Sequence, residues 1–410
     1  PPRSTQGVSS AASDVYKRQM KSFLMNTYNR KSVSFVKGDG VYLWDDKGNR
    51  YLDALCGLAV TSLGHSNPHV SEAVHAQSKT LIHTSNAFII DQQEKLGKRL
   101  CQLSGLTNAF FCNSGAEAVE AAIKIARKCG NDRGIENPKI IVMENSFHGR
   151  TLAALSATGG EKAHKGFYPL IDGLIRVPYN NIDEVEKLTK NNTDIVAILL
   201  EPIQGEGGII IPDDNYLSKL RLICDKNDWL LMIDEVQSGF CRTGKWFGYQ
   251  HSLIIPDVIT VAKALGNGVP IGACLTNSKA SKILTPGSHG STFGGNFLST
   301  AVGLKVLDIM KEQNLCENAR NIGSYLEKEL KHNLLSFDVV DEIRCKGLMI
   351  GIQLKVKCTH LTEDALKNKL VINVTKENTI RMLPPLIIQK DEADTIVKVI
   401  SKIIGEIKYE

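Results

Sequence analysis

The sequence contains no apolar run long enough to form a membrane-spanning helix. Its longest apolar runs have the length of a β-strand, for example Ile195–Leu200, whereas a spanning helix needs about 20 apolar residues. Basic clusters with interleaved aromatic residues are also lacking, and the net charge is only +5. The pattern therefore argues against a membrane partner and against nucleic acid binding.

Paired cysteine motifs are missing as well. The ten cysteines are scattered singly, without a C-x-x-C spacing, which argues against a disulfide framework or a zinc site and indicates a reducing, cytoplasmic compartment. Of the ten histidines, His65 and His69 have a ligand-like spacing, but Pro68 between them disfavours a helical metal-binding pair. We expect no metal.

The chain is long enough for two or three domains. Residues 1–19 are polar and turn-like, without the apolar core of a secretory signal. We expect them to be a non-native or disordered leader, with Met20 as the natural start. Beyond the leader we predict an N-terminal segment (20–70) that joins a small domain, a large domain (71–295) and a small C-terminal domain (296–410).

Short apolar runs alternate with helical patterns over most of the large domain. Runs that are apolar on both faces are typical of parallel strands covered by helices on both sides. The predicted strands are 109–112, 139–143, 174–177, 195–200, 230–233, 258–261 and 272–276. The fold class is therefore α/β, with about seven mostly parallel strands and a smaller α+β domain.

The run Val258–Val261 leads directly to Lys263 and to a loop that contains Gly266, Gly268 and Gly272. Glycine lets the backbone approach a flat ligand closely, and desolvation disfavours the charged form of a lysine at the end of a buried strand. Such a lysine could form a Schiff base with a carbonyl compound. On this stretch alone, an ordinary surface lysine is the more common alternative.

Other predicted strand ends carry further polar residues. Ser114 and Gly115 begin a helix whose free backbone N–H groups would suit a phosphate; a capping box of Ser114 with Glu117 is the alternative. Asp234 and Glu235 lie where open α/β sheets bind ligands, and a surface acidic pair is the alternative there.

Three further segments could contact a flat, acidic ligand. Phe147 could stack on a ring, and Arg150 could bind a carboxylate bidentately. Glu206 lies in a Gly-rich loop, and Arg381 lies near a strand end of the small domain. By contrast, segment 239–246 only nearly matches a nucleotide-binding P-loop, because its last position is Trp246, which cannot bind magnesium.

Together and in order, six segments resemble the class III aminotransferases, which use pyridoxal phosphate on the aspartate-aminotransferase fold (fold type I). The segments are Asn113-Ser-Gly-Ala-Glu-Ala, Phe147-His-Gly-Arg-Thr, Glu201-Pro-Ile-Gln-Gly-Glu-Gly-Gly, Asp234-Glu-Val-Gln-Ser-Gly, Ala262-Lys-Ala-Leu-Gly-Asn-Gly and Gly290-Ser-Thr-Phe-Gly-Gly-Asn. The resemblance covers the chain from about residue 20 to its end. It implies a homodimer with shared active sites.

The resemblance also implies residue roles toward pyridoxal 5'-phosphate. Lys263 would hold it as a Schiff base, and Asp234 would pair with the ring nitrogen. Gln237 would contact the ring hydroxyl, and Phe147 would stack on the ring face. The phosphate would be bound by Ser114, Gly115 and Ala116, and Thr292 would reach the phosphate of the neighbouring subunit.

For the substrates, the resemblance implies that Arg150 and Arg381 bind carboxylates, with Glu206 pairing with Arg381 while the amino donor is bound. Segments such as Leu63-Gly-His-Ser-Asn-Pro and Leu370-Val-Ile-Asn-Val-Thr are most similar to members that transfer the δ-amino group of N2-acetyl-L-ornithine to 2-oxoglutarate, by a ping-pong route in arginine biosynthesis. Leu58 stands where members that act on ornithine carry tyrosine.

Several alternatives stay open at this point. The donor could be succinyldiaminopimelate, succinylornithine or another ω-amine, because the sequence does not define the acyl pocket. The chain could also be a class III aminomutase or decarboxylase, or a binding protein without catalytic activity.

Overall fold

The computed structural model describes residues 23–190 and 192–408, so the predicted leader lies outside the described residues. The described residues divide into two units at residue 34, the first ending there and the second beginning at residue 35. In the first unit, the described residues 23–34 contain neither helix nor strand. Within the described ranges, no helix is long and apolar enough to cross a membrane.

The second unit contains three sheets and the helices that cover them. Its strands are β1 (Phe35–Asp39), β2 (Tyr42–Asp45), β3 (Arg50–Asp53), β4 (Asn108–Cys112), β5 (Lys139–Met143), β6 (Leu174–Val177), β7 (Ile195–Leu200), β8 (Leu230–Asp234), β9 (Val258–Val261), β10 (Gly272–Thr276), β11 (Val340–Lys346), β12 (Met349–Leu354), β13 (Leu370–Val371), β14 (Asn373–Thr375) and β15 (Thr379–Met382).

Its helices are α1 (Pro68–Thr80), α2 (Asp91–Ser104), α3 (Gly115–Asp132), α4 (Leu152–Ala157), α5 (Glu161–His164), α6 (Ile182–Thr189), α7 (Tyr216–Asn227), α8 (Phe297–Glu312), α9 (Leu315–Leu334), α10 (Leu361–Lys367) and α11 (Lys390–Gly405). Two 3-10 turns cover Gly248–Ser252 and Lys263–Leu265. The helical turn Cys56–Ala59 is unusual, because all four of its residues have φ between +40° and +66°.

The seven-stranded sheet has the order β4-β10-β9-β8-β7-β5-β6. β10 is antiparallel to both of its neighbours, and the other neighbouring pairs are parallel. The prediction of an α/β fold with about seven mostly parallel strands is therefore confirmed. β4 and β8 are each one residue longer than predicted, and the other five strands have the predicted bounds.

Both faces of this sheet are buried, because alternate residues of a strand point to opposite faces. Ile140 and Val142 of β5 pack in one core cluster with Ala122 of α3. Ile141 of β5 lies in a second, larger cluster with Leu220 of α7. The small alanine side chain lets α3 lie close to the sheet, and the burial of both faces explains the continuous apolar runs.

The parallel strands all end at one edge of the sheet. The loops that follow β4, β5, β7, β8 and β9 therefore lie together. This is the edge where open α/β sheets bind ligands.

The remaining sheets connect the two ends of the second unit. β1, β2 and β3 form antiparallel pairs, and β13 joins β3 in parallel, with Leu370 opposite Leu52. The third sheet, β11-β12-β15-β14, is antiparallel throughout, and α9 packs on β11 and on α11. The proposed domain boundaries at residues 70 and 295 stay a prediction.

Candidate active site

A cavity of about 410 Å³ lies at the carboxyl edge of the seven-stranded sheet. It is lined by the loops that follow β4, β5, β7, β8 and β9. Nine of the predicted site residues line it, namely Ser114, Gly115, Ala116, Phe147, Arg150, Glu206, Asp234, Gln237 and Lys263. Residues from five separate segments therefore face one space.

Asp234, the last residue of β8, is only 5% exposed. Its Oδ1 accepts hydrogen bonds from Thr260 Oγ1 at 3.0 Å and from Val236 N at 3.1 Å. Its Oδ2 lies 2.7 Å from Nδ1 of the buried His148. The carboxylate is therefore fixed in one orientation. No role was predicted for His148; its position next to Phe147 in the same motif was the one available signal.

Lys263 opens the 3-10 turn after β9. Its φ of +46° lies in the left-handed region, which is uncommon for a residue with a side chain. Removal from water lowers the pKa of its ammonium group; the nearby carboxylate of Asp234 opposes this shift, and the guanidinium of Arg381 adds to it. A lysine with a lowered pKa can act as a nucleophile and as a base.

The start of α3 forms the wall where a phosphate was predicted. The backbone N–H groups in the first turn of a helix have no partner within the helix and favour an anion. Ser114 Oγ accepts a hydrogen bond from Glu117 N at 3.2 Å. Ser114 therefore caps the helix as the alternative expected, but the carboxylate of Glu117 accepts from Asn113 N instead of Ser114 N, so the capping box is incomplete. A Cβ on Gly115 would lie 2.7 Å from Val236 Cγ1.

Arg381, on β15, is fully buried and does not itself line the cavity. Its Nη2 lies 2.7 Å from Oε1 of Glu206, which does line it. Its Nε donates to Asn373 Oδ1 at 3.0 Å, and its Nη1 has no hydrogen-bond partner. Arg381 therefore reaches the site through Glu206.

The remaining predicted residues differ in placement. The guanidinium of Arg150 lies 5.3 Å from the ring centre of Phe147, so the candidate carboxylate ligand and the candidate stacking ring are neighbours. Thr292 is exposed and does not line the cavity of its own chain. Its predicted contact with a neighbouring subunit stays a prediction.

Three side chains of the cavity have a buried polar atom without a hydrogen-bond partner, namely His148 Nε2, Glu201 Oε2 and Gln237 Oε1. Buried polar atoms are nearly always paired. Burial raises the pKa of Glu201 well above its ordinary value, and the Asp234 carboxylate adds to the shift. Within residues 23–190 and 192–408, no group of three or more His, Cys, Asp or Glu residues could hold a metal ion.

This set of groups fits pyridoxal 5'-phosphate. The start of α3 suits the phosphate, Phe147 offers a ring face, Asp234 offers a partner for a protonated ring nitrogen, and Lys263 offers an amine for the aldehyde. Gln237 has an unpaired polar atom for the ring hydroxyl.

The fold and the cavity define a pyridoxal-phosphate-dependent transferase of the aspartate-aminotransferase fold. The chain belongs to the class-III aminotransferases, because the model of the family Aminotransferase class-III matches residues 24–404. The resemblance found in the sequence is confirmed, and the protein is an aminotransferase.

Known proteins are similar over nearly the whole chain. Acetylornithine aminotransferase from Nitrosomonas europaea is 55% identical over 383 residues, which cover 93% of this chain and 98% of that protein. The structure of acetylornithine aminotransferase from Elizabethkingia anophelis matches with a TM-score of 0.85 and 32% identity, covering 97% of this chain and 98% of the other.

Ornithine aminotransferase from Toxoplasma gondii, whose structure has pyridoxal phosphate at partial occupancy in the active site, matches with a TM-score of 0.90 and 30% identity over 97% of this chain and 94% of the other. The same fold thus carries differently named activities.

Proposed function

We propose that this protein transfers the δ-amino group of N2-acetyl-L-ornithine to 2-oxoglutarate, giving N-acetylglutamate 5-semialdehyde and glutamate. The observation that carries the proposal is the buried Arg381 covered by Glu206. Such a pair can serve a donor that presents an amine at its reacting end and an acceptor that presents an α-carboxylate there. The name of the Nitrosomonas europaea relative supports the choice of donor.

Pyridoxal phosphate, when bound, supplies a ring that withdraws electrons from the carbon next to the reacting nitrogen. Asp234 stabilises a proton on the ring nitrogen, because its carboxylate is held in place by Thr260 and His148. Lys263 would hold the cofactor through its amine Nζ, and the same Nζ would move the proton during the reaction. Removal from water lowers the pKa of this amine, which favours its neutral, basic form.

The two arginines bind the substrates at opposite ends. With acetylornithine bound, Arg150 binds the α-carboxylate, and the ion pair of Glu206 with Arg381 stays intact near the amine end of the substrate. With 2-oxoglutarate bound, Glu206 moves aside and Arg381 binds the α-carboxylate, while Arg150 binds the distal one. The unpaired Nη1 of Arg381 offers a second donor for a bidentate contact.

Leu58 is a reason to expect that the enzyme acts poorly on free ornithine. It lies in the left-handed turn Cys56–Ala59 and is 37% exposed. Val60, two residues later, lines the cavity. An apolar side chain here offers no hydrogen bond to a charged α-ammonium group, whereas it tolerates an acylated nitrogen.

We also infer a homodimer. Large apolar side chains are exposed on two neighbouring segments, namely Ile82, Phe88, Ile89 and Phe293. The amide of Asn86 joins these segments by donating to Ser291 O at 2.9 Å. Exposed apolar patches of this kind mark interaction surfaces, and Thr292 lies within this one, where it can reach a partner's site. The free cysteines support a cytoplasmic location.

A panel of amino donors tests the proposal. kcat/KM is measured with N2-acetylornithine, N2-succinylornithine, ornithine and γ-aminobutyrate, each with 2-oxoglutarate. We expect acetylornithine to exceed ornithine by about tenfold or more, which corresponds to about 1.4 kcal/mol of transition-state binding. A preference for ornithine or γ-aminobutyrate would refute the proposal. A preference for succinylornithine would move the assignment to that acyl donor.

A further inference from the structure

Two cysteines that do not line the cofactor cavity lie in direct contact. The Sγ atoms of Cys241 and Cys316 are 2.7 Å apart, and all ten cysteines are present as free thiols. A disulfide bond is about 2.0 Å long, so a small displacement would bring these two sulfurs to bonding distance.

The two thiols differ in accessibility. Cys241, in the loop after β8, is fully buried. Cys316 is the second residue of α9, is partly exposed, and lines a separate surface cavity of about 330 Å³. A small reagent that enters this cavity can therefore reach Cys316, while Cys241 lies directly behind it.

The surface cavity is positively charged. Its wall includes Lys245, Lys311 and Arg320, against the single carboxylate of Glu317. Burial lowers the pKa of the neighbouring His251 to about 4, and the positive charges of Lys346, Lys245 and Arg320 add to this shift. A cavity with excess positive charge attracts small anions, and glutathione disulfide is an anion at neutral pH because its carboxylates outnumber its amines.

We propose that Cys241 and Cys316 form a reversible disulfide, with glutathione disulfide as the oxidant. The thiolate of Cys316 attacks one sulfur of glutathione disulfide, whose S–S bond breaks, so that one glutathione thiolate leaves and a mixed disulfide remains. Cys241 then loses its proton and attacks Cys316 Sγ, which releases the second glutathione. Two protein thiols are oxidised, and one small disulfide is reduced to two thiols.

The order of these steps follows from the structure. Burial raises the pKa of the Cys241 thiol well above its ordinary value and keeps it protonated, so Cys241 reacts slowly with reagents in solution. Its contact with Cys316 makes the second step intramolecular, which compensates for a small thiolate fraction.

The bond would tie the loop after β8 to α9. The neighbouring Arg242 is buried and donates to Ser62 Oγ at 3.0 Å and to Pro384 O, so this loop already joins the N-terminal turn to the C-terminal domain. A disulfide here closes a long chain segment and therefore stabilises the folded state.

The test uses the purified holoenzyme with excess glutathione disulfide, followed by alkylation, intact mass and peptide mapping. We expect the loss of two of the ten thiols, a linked peptide pair that contains Cys241 and Cys316, no retained glutathione, and full reversal by dithiothreitol. Cys241→Ser should retain one glutathione on Cys316, and Cys316→Ser should leave Cys241 unmodified.

Cys129→Ser is the matched control, because Cys129 is also partly exposed on a helix; this variant should still form the bond. The oxidised wild type should melt at a higher temperature than the reduced protein, and both serine variants should lack this difference while melting like the reduced wild type. Glutathione retained on wild-type Cys316, a bond between other cysteines, or an unreactive pair would overturn the proposal.

Discussion

Glu206 covers Arg381 through a single ion pair, with Oε1 2.7 Å from Nη2. The arginine side chain is 1% exposed, whereas the glutamate side chain is 36% exposed. A buried guanidinium without a counter-charge is costly, so Arg381 needs either Glu206 or the carboxylate of a ligand. The two carboxylates therefore compete for one guanidinium.

Arg381→Lys should impair one half-reaction more than the other. Lysine cannot make the bidentate contact of arginine with a carboxylate. We expect the KM for 2-oxoglutarate to rise by about 10- to 100-fold, while the acetylornithine half-reaction changes by less than about threefold. Stopped-flow absorbance of each half-reaction gives these values. Arg99→Lys, at a partly buried arginine paired with Asp308, is the control; equal losses in both half-reactions would contradict the assignment.

Lys263→Ala should abolish turnover and the visible absorbance of the covalently bound cofactor, because no other lysine lines the described cavity. Absorbance spectra and a coupled assay for glutamate provide the measurement. Lys279→Ala removes a lysine that pairs with Asp228 on the surface and should retain both signals. Turnover by the Lys263→Ala variant would contradict the assignment of Lys263 as the residue that holds the cofactor.

His148→Ala should weaken cofactor binding. The change leaves Oδ2 of the buried Asp234 without its partner at 2.7 Å, and such a loss costs about 1–3 kcal/mol. We expect the Kd for pyridoxal phosphate to rise by about tenfold or more, measured by fluorescence titration of the apoenzyme. His164→Ala removes a buried histidine that bonds the carbonyl oxygens of Leu155 and Thr158; it should lower stability without changing this Kd.

Stability should fall as the pH rises through the range in which Glu235 titrates. Burial raises the pKa of Glu235 to about 7 from an ordinary value of 4.5, although its carboxylate accepts hydrogen bonds from Ser238, Gly248 and Tyr249. Between these values the folded protein binds more protons than the unfolded chain, so the free energy of unfolding decreases with pH, by about 3 kcal/mol for this group.

Urea denaturation at pH values from 4.5 to 8 measures this slope. Glu235→Gln should flatten it, whereas Glu161→Gln, at an exposed helix position, should leave it unchanged. An identical slope in Glu235→Gln and in the wild type would show that other groups cause the dependence.

Much of the large sheet was predictable because burial on both faces leaves a direct trace in the sequence. The run Ile195–Leu200 is fully buried and has the predicted bounds. The direction of β10 was not predictable, because a buried apolar run such as Gly272–Thr276 suits a parallel and an antiparallel strand equally well. Its antiparallel direction is seen only in its pairing with β4.

The site was predictable in parts. Lys263 and Asp234 follow apolar runs, which is a local signal, but the contact of His148 with Asp234 joins residues 86 positions apart. The left-handed turn Cys56–Ala59 could not be predicted from the sequence either, because among its four residues only Gly57 is of a type that favours φ > 0. The pairing of Glu206 with Arg381 was expected from the family resemblance; the sequence pattern alone gave no sign of it.

The parallel pairing of β13 with β3 has a consequence for biosynthesis. Leu370 and Val371 complete a sheet whose other strands lie between residues 35 and 53. Proteins emerge from the ribosome with the N-terminus first. β3 is therefore made long before β13, the strand that pairs with its free edge. Until then β3 presents unpaired backbone groups with which other chains could pair.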